Sequence, residues 1–230
     1  MNNISLRSDQ RGISIFVVMV VVLLGTLLVL WSSRSALLNE MLTGNDSDYQ
    51  RALEAAHALV RDAELDIRGE NADGSPCASP CRQWGVLDAA SKKVFYPTDV
   101  DEWHDLQAIL APSTPSCIAG ICEPDGVTEQ FWRSKENLEA MKQVGASYGD
   151  FTGAKSGLVS NPLLASGRGW YWVEILPYNM GAQVDGGPAR ELAPDRKTPY
   201  LYRITAVVQG IKQTTQAVVQ TTVVWKIAES

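Results

Sequence analysis

The stretch Ile13–Trp31 reads ISIFVVMVVVLLGTLLVLW: nineteen residues without a charge, with Ser14 and Thr26 as its polar side chains. As a helix at ~1.5 Å per residue, it matches a hydrocarbon layer of ~30 Å. Gly25 would weaken a helix in water, whereas helices in lipid tolerate glycine. Ahead of it lies a polar leader, MNNISLRSDQRG, with Arg7, Asp9 and Arg11. A secretory signal peptide has a shorter apolar core of ~7–15 residues, with small residues and the cleavage site behind it. Here the candidate processing point, Arg11-Gly12, lies before the apolar run.

The helical pattern continues past Trp31. Between residues 34 and 68, apolar side chains recur at Leu38, Met41 and Leu42, then at Tyr49, Ala52, Leu53, Ala56, Leu59, Val60 and Ala63. Those are the steps of one helix face, and Ala, Leu, Glu and Arg, all good helix formers, dominate residues 51–65. Gly44-Asn45-Asp46 interrupts the pattern and marks a place for a bend or local melting. A helix running through it would span the 56 residues from Ile13 to Arg68, roughly 84 Å at ~1.5 Å per residue. Its first half must bury its apolar surface in lipid or against other copies.

Residues 69–127 are weakly patterned and hold most of the prolines. A second helix is expected over Glu129–Val144, where Phe131, Trp132, Leu138, Met141 and Val144 recur at near-helical spacing and Gly145 offers a stop. Residues 146–168 are rich in Gly and Ser and read as loop. The last third reads as strand: Gly169–Tyr178, then a long loop over 179–198, then Pro199–Gln209, a turn at Gly210-Ile211-Lys212, and Thr214–Lys226. Tyr200, Tyr202, Ile204, Ala206 and Val208 share one face, as do Ala217, Val219, Thr221, Val223 and Trp225. That alternation predicts an antiparallel hairpin with one side on a core and one in water.

The four cysteines form two close pairs, Cys77 with Cys81 and Cys117 with Cys122. Arg7 and Arg11 before the apolar run, against Arg34 behind it, lean toward a cytoplasmic N-terminus. Outside the cytoplasm disulfides are the expected use of the cysteines, with a zinc site as the rival. Pairing within each close pair or crossed between them stays open in the sequence; the short spacings lead us to expect local bridges.

The net charge is −6. The leader contributes one net positive charge, so residues 13–230 carry −7, which argues against binding a nucleic-acid backbone. There is no phosphate-binding glycine loop and no H-E-x-x-H. His57 reads as a surface histidine. The string Asp99, Asp101, Glu102, His104, Asp105 offers hard oxygen ligands but lacks the glycine and terminal Glu of a calcium loop, so we expect no metal there. Trp170 and Trp172 share a strand face, where a core role is favoured over a sugar platform. The reading is therefore not enzymatic, without cofactor or metal.

Taken together, these parts resemble the type IV pilins. That family has a short basic leader ending in Gly, an uncharged helix of about twenty residues, an amphipathic continuation and a domain with an antiparallel sheet. Here the counterparts are Gln10-Arg11-Gly12 and Ile13 onward. The stretch Leu42-Thr43-Gly44-Asn45, Asp48, Gln50 to Ala56 and Ala63-Glu64 is similar to the M-A-G-N…D…A-F-x-A-A-E…A-E pattern of the PilX-type minor pilins. Tyr148-Gly149 with Thr152-Gly153-Ala154, Tyr202 to Ala206 and Val218 to Thr222 resemble later blocks of that subfamily.

The resemblance implies an α+β fold: leader 1–12, a membrane or filament-core helix 13–33, its amphipathic continuation 34–68, and a globular periplasmic domain 69–230 with a C-terminal antiparallel sheet. It implies cleavage after Gly12 by a prepilin peptidase and methylation of Ile13. It also implies residence in the inner membrane and then the pilus, with the major pilin, other minor pilins and a large tip adhesin as partners. The expected role is priming assembly or forming the tip complex in adhesion and twitching, the alternative being a minor pseudopilin of type II secretion. Major pilins carry Glu at the fifth residue of the mature chain, where this sequence has Val17. Such a Glu meets a neighbour's N-terminal amine in the family, so its absence is consistent with an end position.

Overall fold

A computed structural model describes residues 13–124, 127–156, 160–178, 193–194 and 198–225. Helix α1 runs unbroken over Ile13–Arg68. Gly44-Asn45-Asp46, expected to allow a bend, stays helical, because the good helix formers on either side carry the pattern through. The chain divides into two compact units at Ser47 and Asp48, so α1 belongs to both. In the first unit every large apolar side chain of the helix from Ile15 to Trp31 is exposed.

The second unit is built on a six-stranded sheet. Its strands are β1 (Cys117–Ile118), β2 (Ile121–Cys122), β3 (Ala146–Ser147), β4 (Gly169–Pro177), β5 (Tyr200–Gln209) and β6 (Gln216–Val224). The order is β1-β2-β4-β5-β6, with β3 also on β4. β5 and β6 form the expected antiparallel hairpin and β4 extends it antiparallel to β5 as a meander, but β2 runs parallel to β4. The sheet is therefore mixed rather than purely antiparallel. The parallel link is made by two residues, Ile121 and Cys122, too few to leave a pattern in sequence.

The front face of the sheet takes the second half of α1. Ala52, Ala55, Ala56, Leu59, Val60, Ala63 and Ile67 are buried against Tyr171, Val173, Ile175, Tyr202, Ile204, Ala206 and Val208. Alanines on the helix let it approach closely, while tyrosines from the strands fill the remaining volume. Leu53 is only partly buried and Tyr49 is exposed, so the buried stripe lies slightly off the expected one.

The back face was expected to meet water, but much of it is covered. Phe131 from a 3-10 turn (Phe131–Arg133), and Leu138 and Met141 from helix α3 (Lys135–Val144), pack on Trp172, Val207 and the Cys117–Cys122 pair. Phe131 stands edge-on to Trp172 at 4.7 Å, and the Trp172 indole N–H donates to the Met141 carbonyl at 3.0 Å. The expected helix over Glu129–Val144 is thus a 3-10 turn and an α-helix, separated at Ser134, whose side chain caps α3.

Helix α2 (Val100–Leu110) occupies part of the stretch that reads as unpatterned. Asp99 caps it by accepting from the Glu102 N–H at 2.8 Å, and Asp101 and Glu102 lie in its first turn, where the helix dipole favours negative charge. The acidic string is a helix start. Within the expected loop 146–168 lie β3 and a short helix α4 (Pro162–Ala165).

Candidate functional site

The first functional feature is the naked face of α1. Phe16 is 68% exposed and Trp31 77%, and the helix is long and apolar enough to cross a membrane. By area, an exposed Leu, Val or Phe forgoes ~1.5–3 kcal/mol of burial. A run of this length therefore needs lipid or other apolar helices around it. Val17 lies on this stretch, 52% exposed. Gly12, the expected processing residue, lies outside the described residues; Ile13 is the first residue of α1.

The second feature ties α1 to the folded unit. Three carboxylates, Asp48, Asp62 and Asp66, are buried along the helix. The 18 residues from Asp48 to Asp66 are five turns at ~3.6 residues per turn, so all three lie in phase with the alanine stripe. Each holds a different loop. Asp48 accepts from the Ile211 N–H at 2.9 Å and the Lys212 N–H at 3.0 Å, fixing the turn between β5 and β6. Burial works against its charge, but those two amides, the Thr215 hydroxyl and the Lys212 ammonium outweigh it and hold the carboxyl below its usual value.

Asp62 accepts from the Gly149 N–H at 2.7 Å and makes a short hydrogen bond with the Thr152 hydroxyl. Here burial wins and pushes the carboxyl up to about 6, with the nearby Asp66 and Asp150 charges adding to it. Asp66 is the anchor of a buried network. Arg82 meets it with two nitrogens at 2.8–2.9 Å, and the Tyr96 and Tyr171 hydroxyls donate to it at 3.0 and 2.8 Å. The pair is 5% and 1% exposed. Arg82 also donates to the Ala119 carbonyl at 2.8 Å and lies over the Phe151 ring at 3.7 Å. Burial disfavours its charge, but Asp66 more than offsets this and raises its pKa above the ordinary arginine value. Burial, followed by the Asp66 charge, raises both tyrosines well above theirs.

Sequence reading met Asp48 only as part of the resemblance and missed Asp62 and Asp66, because it scored the helix face by apolar residues. The available signal was three Asp in phase with a small-residue stripe. Their partners lie elsewhere in the sequence, at residues 82, 149–152 and 211–212.

The cysteines are bonded in two local pairs, Cys77–Cys81 and Cys117–Cys122. The second closes a hairpin whose turn, Ala119-Gly120, has positive φ at both residues (48° and 85°). Among the described residues, no group of three His, Cys, Asp or Glu could hold a metal ion. His104 and His57 are exposed, and His104 shares α2 with the acidic string. Trp172 is a core residue, while Trp170 is half-buried with the Lys142 ammonium 4.4 Å from its ring. The arrangement gives an apolar helix to be enclosed and a domain clamped to its distal half.

Two family models match the chain. The one described as Type IV pilus assembly protein PilX C-term covers residues 86–225, and PilX N-terminal covers residues 11–58. No curated protein and no solved structure matches the chain.

Proposed function

The chain belongs to the PilX family of type IV pilus assembly proteins, and from that premise we propose that it acts as a low-copy subunit at the end of the filament. It is a type IV pilus minor pilin and an α+β protein with a long N-terminal helix. In this reading a prepilin peptidase cuts after Gly12, Ile13 is methylated, and the helix rests in the inner membrane with the Asp48–Ser230 unit in the periplasm. The helix then moves from lipid into the bundle of other pilins, exchanging one apolar surrounding for another. The role is structural: priming assembly or forming the tip complex, with major and minor pilins and a large adhesin as neighbours, in support of adhesion and twitching.

The single observation that carries the pilin reading is the exposed apolar helix Ile15–Trp31 joined to a compact unit with a buried core. Val17 supports the end position. A carboxylate there would pair with an incoming neighbour's amine, and an unpaired one would be costly in an apolar core. Mass spectrometry of the mature N-terminus is the test. The expected result is a chain starting at methylated Ile13, with processing lost in Gly12→Glu. A mature N-terminus beyond Trp31 would overturn the reading.

A further inference from the structure

On the back face of the sheet, the pair of β5 and β6 residues that follows Val207 and Val218 is Gln209 with Gln216, both half-buried. They line a cavity of about 620 Å³, the size of an ordinary small-ligand site. Trp132 and Arg133 of the 3-10 turn and Lys135 of α3 also line it, as do Arg168, ahead of β4, and Gln213, in the turn between β5 and β6. Several of these parts are held in place by the fold. The Gln216 carboxamide donates to the Trp132 carbonyl at 3.2 Å, and the Trp132 ring stands edge-on to Phe131 at 5.2 Å. Arg168 donates to the Gly210 carbonyl at 2.8 Å and accepts from the Gln209 N–H at 2.8 Å. The turn that carries Gln213 is the one fixed by Asp48.

The chain carries a net charge of −6, yet three cations line this cavity. Its one carboxylate, Glu139, is already paired with Lys142 at 2.7 Å. Among the described residues, Arg133, Lys135 and Arg168 have no carboxylate partner. A guanidinium withdrawn from water is ordinarily matched by a carboxylate, and half-buried Arg168 has a carbonyl instead. Lys135 opens α3, where the helix dipole disfavours a cation. Residues set against their local rule are expected at functional sites. These features point to an anionic ligand, and the neutral residues narrow its chemistry. Each glutamine carboxamide both donates and accepts, which suits hydroxyl groups. An indole offers apolar surface to the C–H face of a sugar ring. A nucleic-acid strand is disfavoured by the charge of −6, because its phosphate backbone would extend beyond the cavity along an acidic chain.

We propose that this cavity binds an acidic oligosaccharide, a short glycan whose sugars carry carboxylates. Arg133, Lys135 and Arg168 meet the carboxylates, Arg168 with a fork suited to two oxygens. Gln209, Gln213 and Gln216 meet the hydroxyls, and Trp132 meets a ring face. The site lies within the Asp48–Ser230 unit and does not rest on the pilin reading.

The test titrates the full chain with tetragalacturonate in a calorimeter, in an uncharged detergent that has no sugar headgroup. Saturable binding at a single site is expected, weakening as salt is raised. Maltotetraose has the same length without the charges, and a thymidine tetranucleotide has charges without the hydroxyls. Each should bind at least ~10-fold more weakly. Lys135→Glu removes a cation that the helix dipole disfavours, so the melting temperature should hold or rise while binding weakens at least ~10-fold. Gln213→Ala, at an exposed turn position, should weaken binding without changing the melting temperature. Absence of saturable binding would overturn the proposal, as would unchanged affinity in Lys135→Glu. Equal binding of maltotetraose would show that the cations take no part, and equal binding of the tetranucleotide would assign the cavity to nucleic acid; either result would also overturn it. A mature N-terminus beyond Trp31 would remove the pilin reading and leave this result standing.

Discussion

Arg82 and Asp66 offer the sharpest test of how the domain is fastened to α1. Replacing Arg82 by Met keeps an unbranched apolar stem over the Phe151 ring but leaves the Asp66 carboxylate with the Tyr96 and Tyr171 hydroxyls as its remaining donors. Removing one partner from a buried ion pair costs ~3–5 kcal/mol. At ~2–4 °C per kcal/mol for a chain of this size, the melting temperature should fall by roughly 6–20 °C. Asp66→Asn leaves the guanidinium buried with two backbone carbonyls, at 2.8 and 3.4 Å, and should cost a similar amount. The double variant carries no buried charge here, so it should be more stable than the sum of the single losses by ~2 kcal/mol or more. Thermal unfolding of the full chain in detergent, followed by near-ultraviolet circular dichroism, reads the core tyrosines and tryptophans directly. Losses that add to within ~0.5 kcal/mol would refute the argument, because independent sites behave that way.

Asp62 gives a pH prediction of definite sign. Its carboxyl is raised from 3.8 to about 6, so between those values the native chain holds the proton more tightly than the unfolded chain. This site therefore lowers stability above about pH 6, and the loss is recovered as pH falls toward 4. At ~1.4 kcal/mol per unit the span is roughly 3 kcal/mol, and Asp62→Asn should flatten that part of the stability-versus-pH curve; an unchanged slope would contradict the burial account. Asp48 acts with the opposite sign: the stability that it contributes is present above its unfolded value and is lost as pH falls through its depressed one. Native-state reduction and alkylation should label Cys77 and Cys81, which are partly exposed, before Cys117 and Cys122, which are 1% and 0% exposed; equal labelling rates would contradict the packing of the second pair. Gly120→Ala should cost ~2 kcal/mol or more, because φ is +85° and a new Cβ would lie 2.6 Å from that of Ala146; an unchanged melting temperature would contradict the turn.

The elements legible in the sequence were those long enough to show a period. Residues Ile13–Trp31 and the alanine-rich stretch gave α1, and the alternation from Tyr200 to Trp225 gave β5 and β6, with all five front-face residues of β5 buried. What escaped was short or non-local. β1, β2 and β3 have two residues each, and no period can be read from two residues. The second core behind the sheet depends on Phe131 meeting Trp172 across 41 positions. α2 was hidden because its cap and first turn, Asp99 to Glu102, look the same in sequence as a set of oxygen ligands. The Asp62 and Asp66 clamps were hidden because polar residues on a helix are ordinarily read as its wet side.

Quantitative proteomics of sheared, purified pili tests the central claim most directly, because that claim concerns where this subunit sits. The account predicts that the chain is present, begins at Ile13 and occurs at a small, fixed copy number per filament, independent of filament length. Absence from the pili, or a copy number that approaches the major subunit's and grows with filament length, would contradict it.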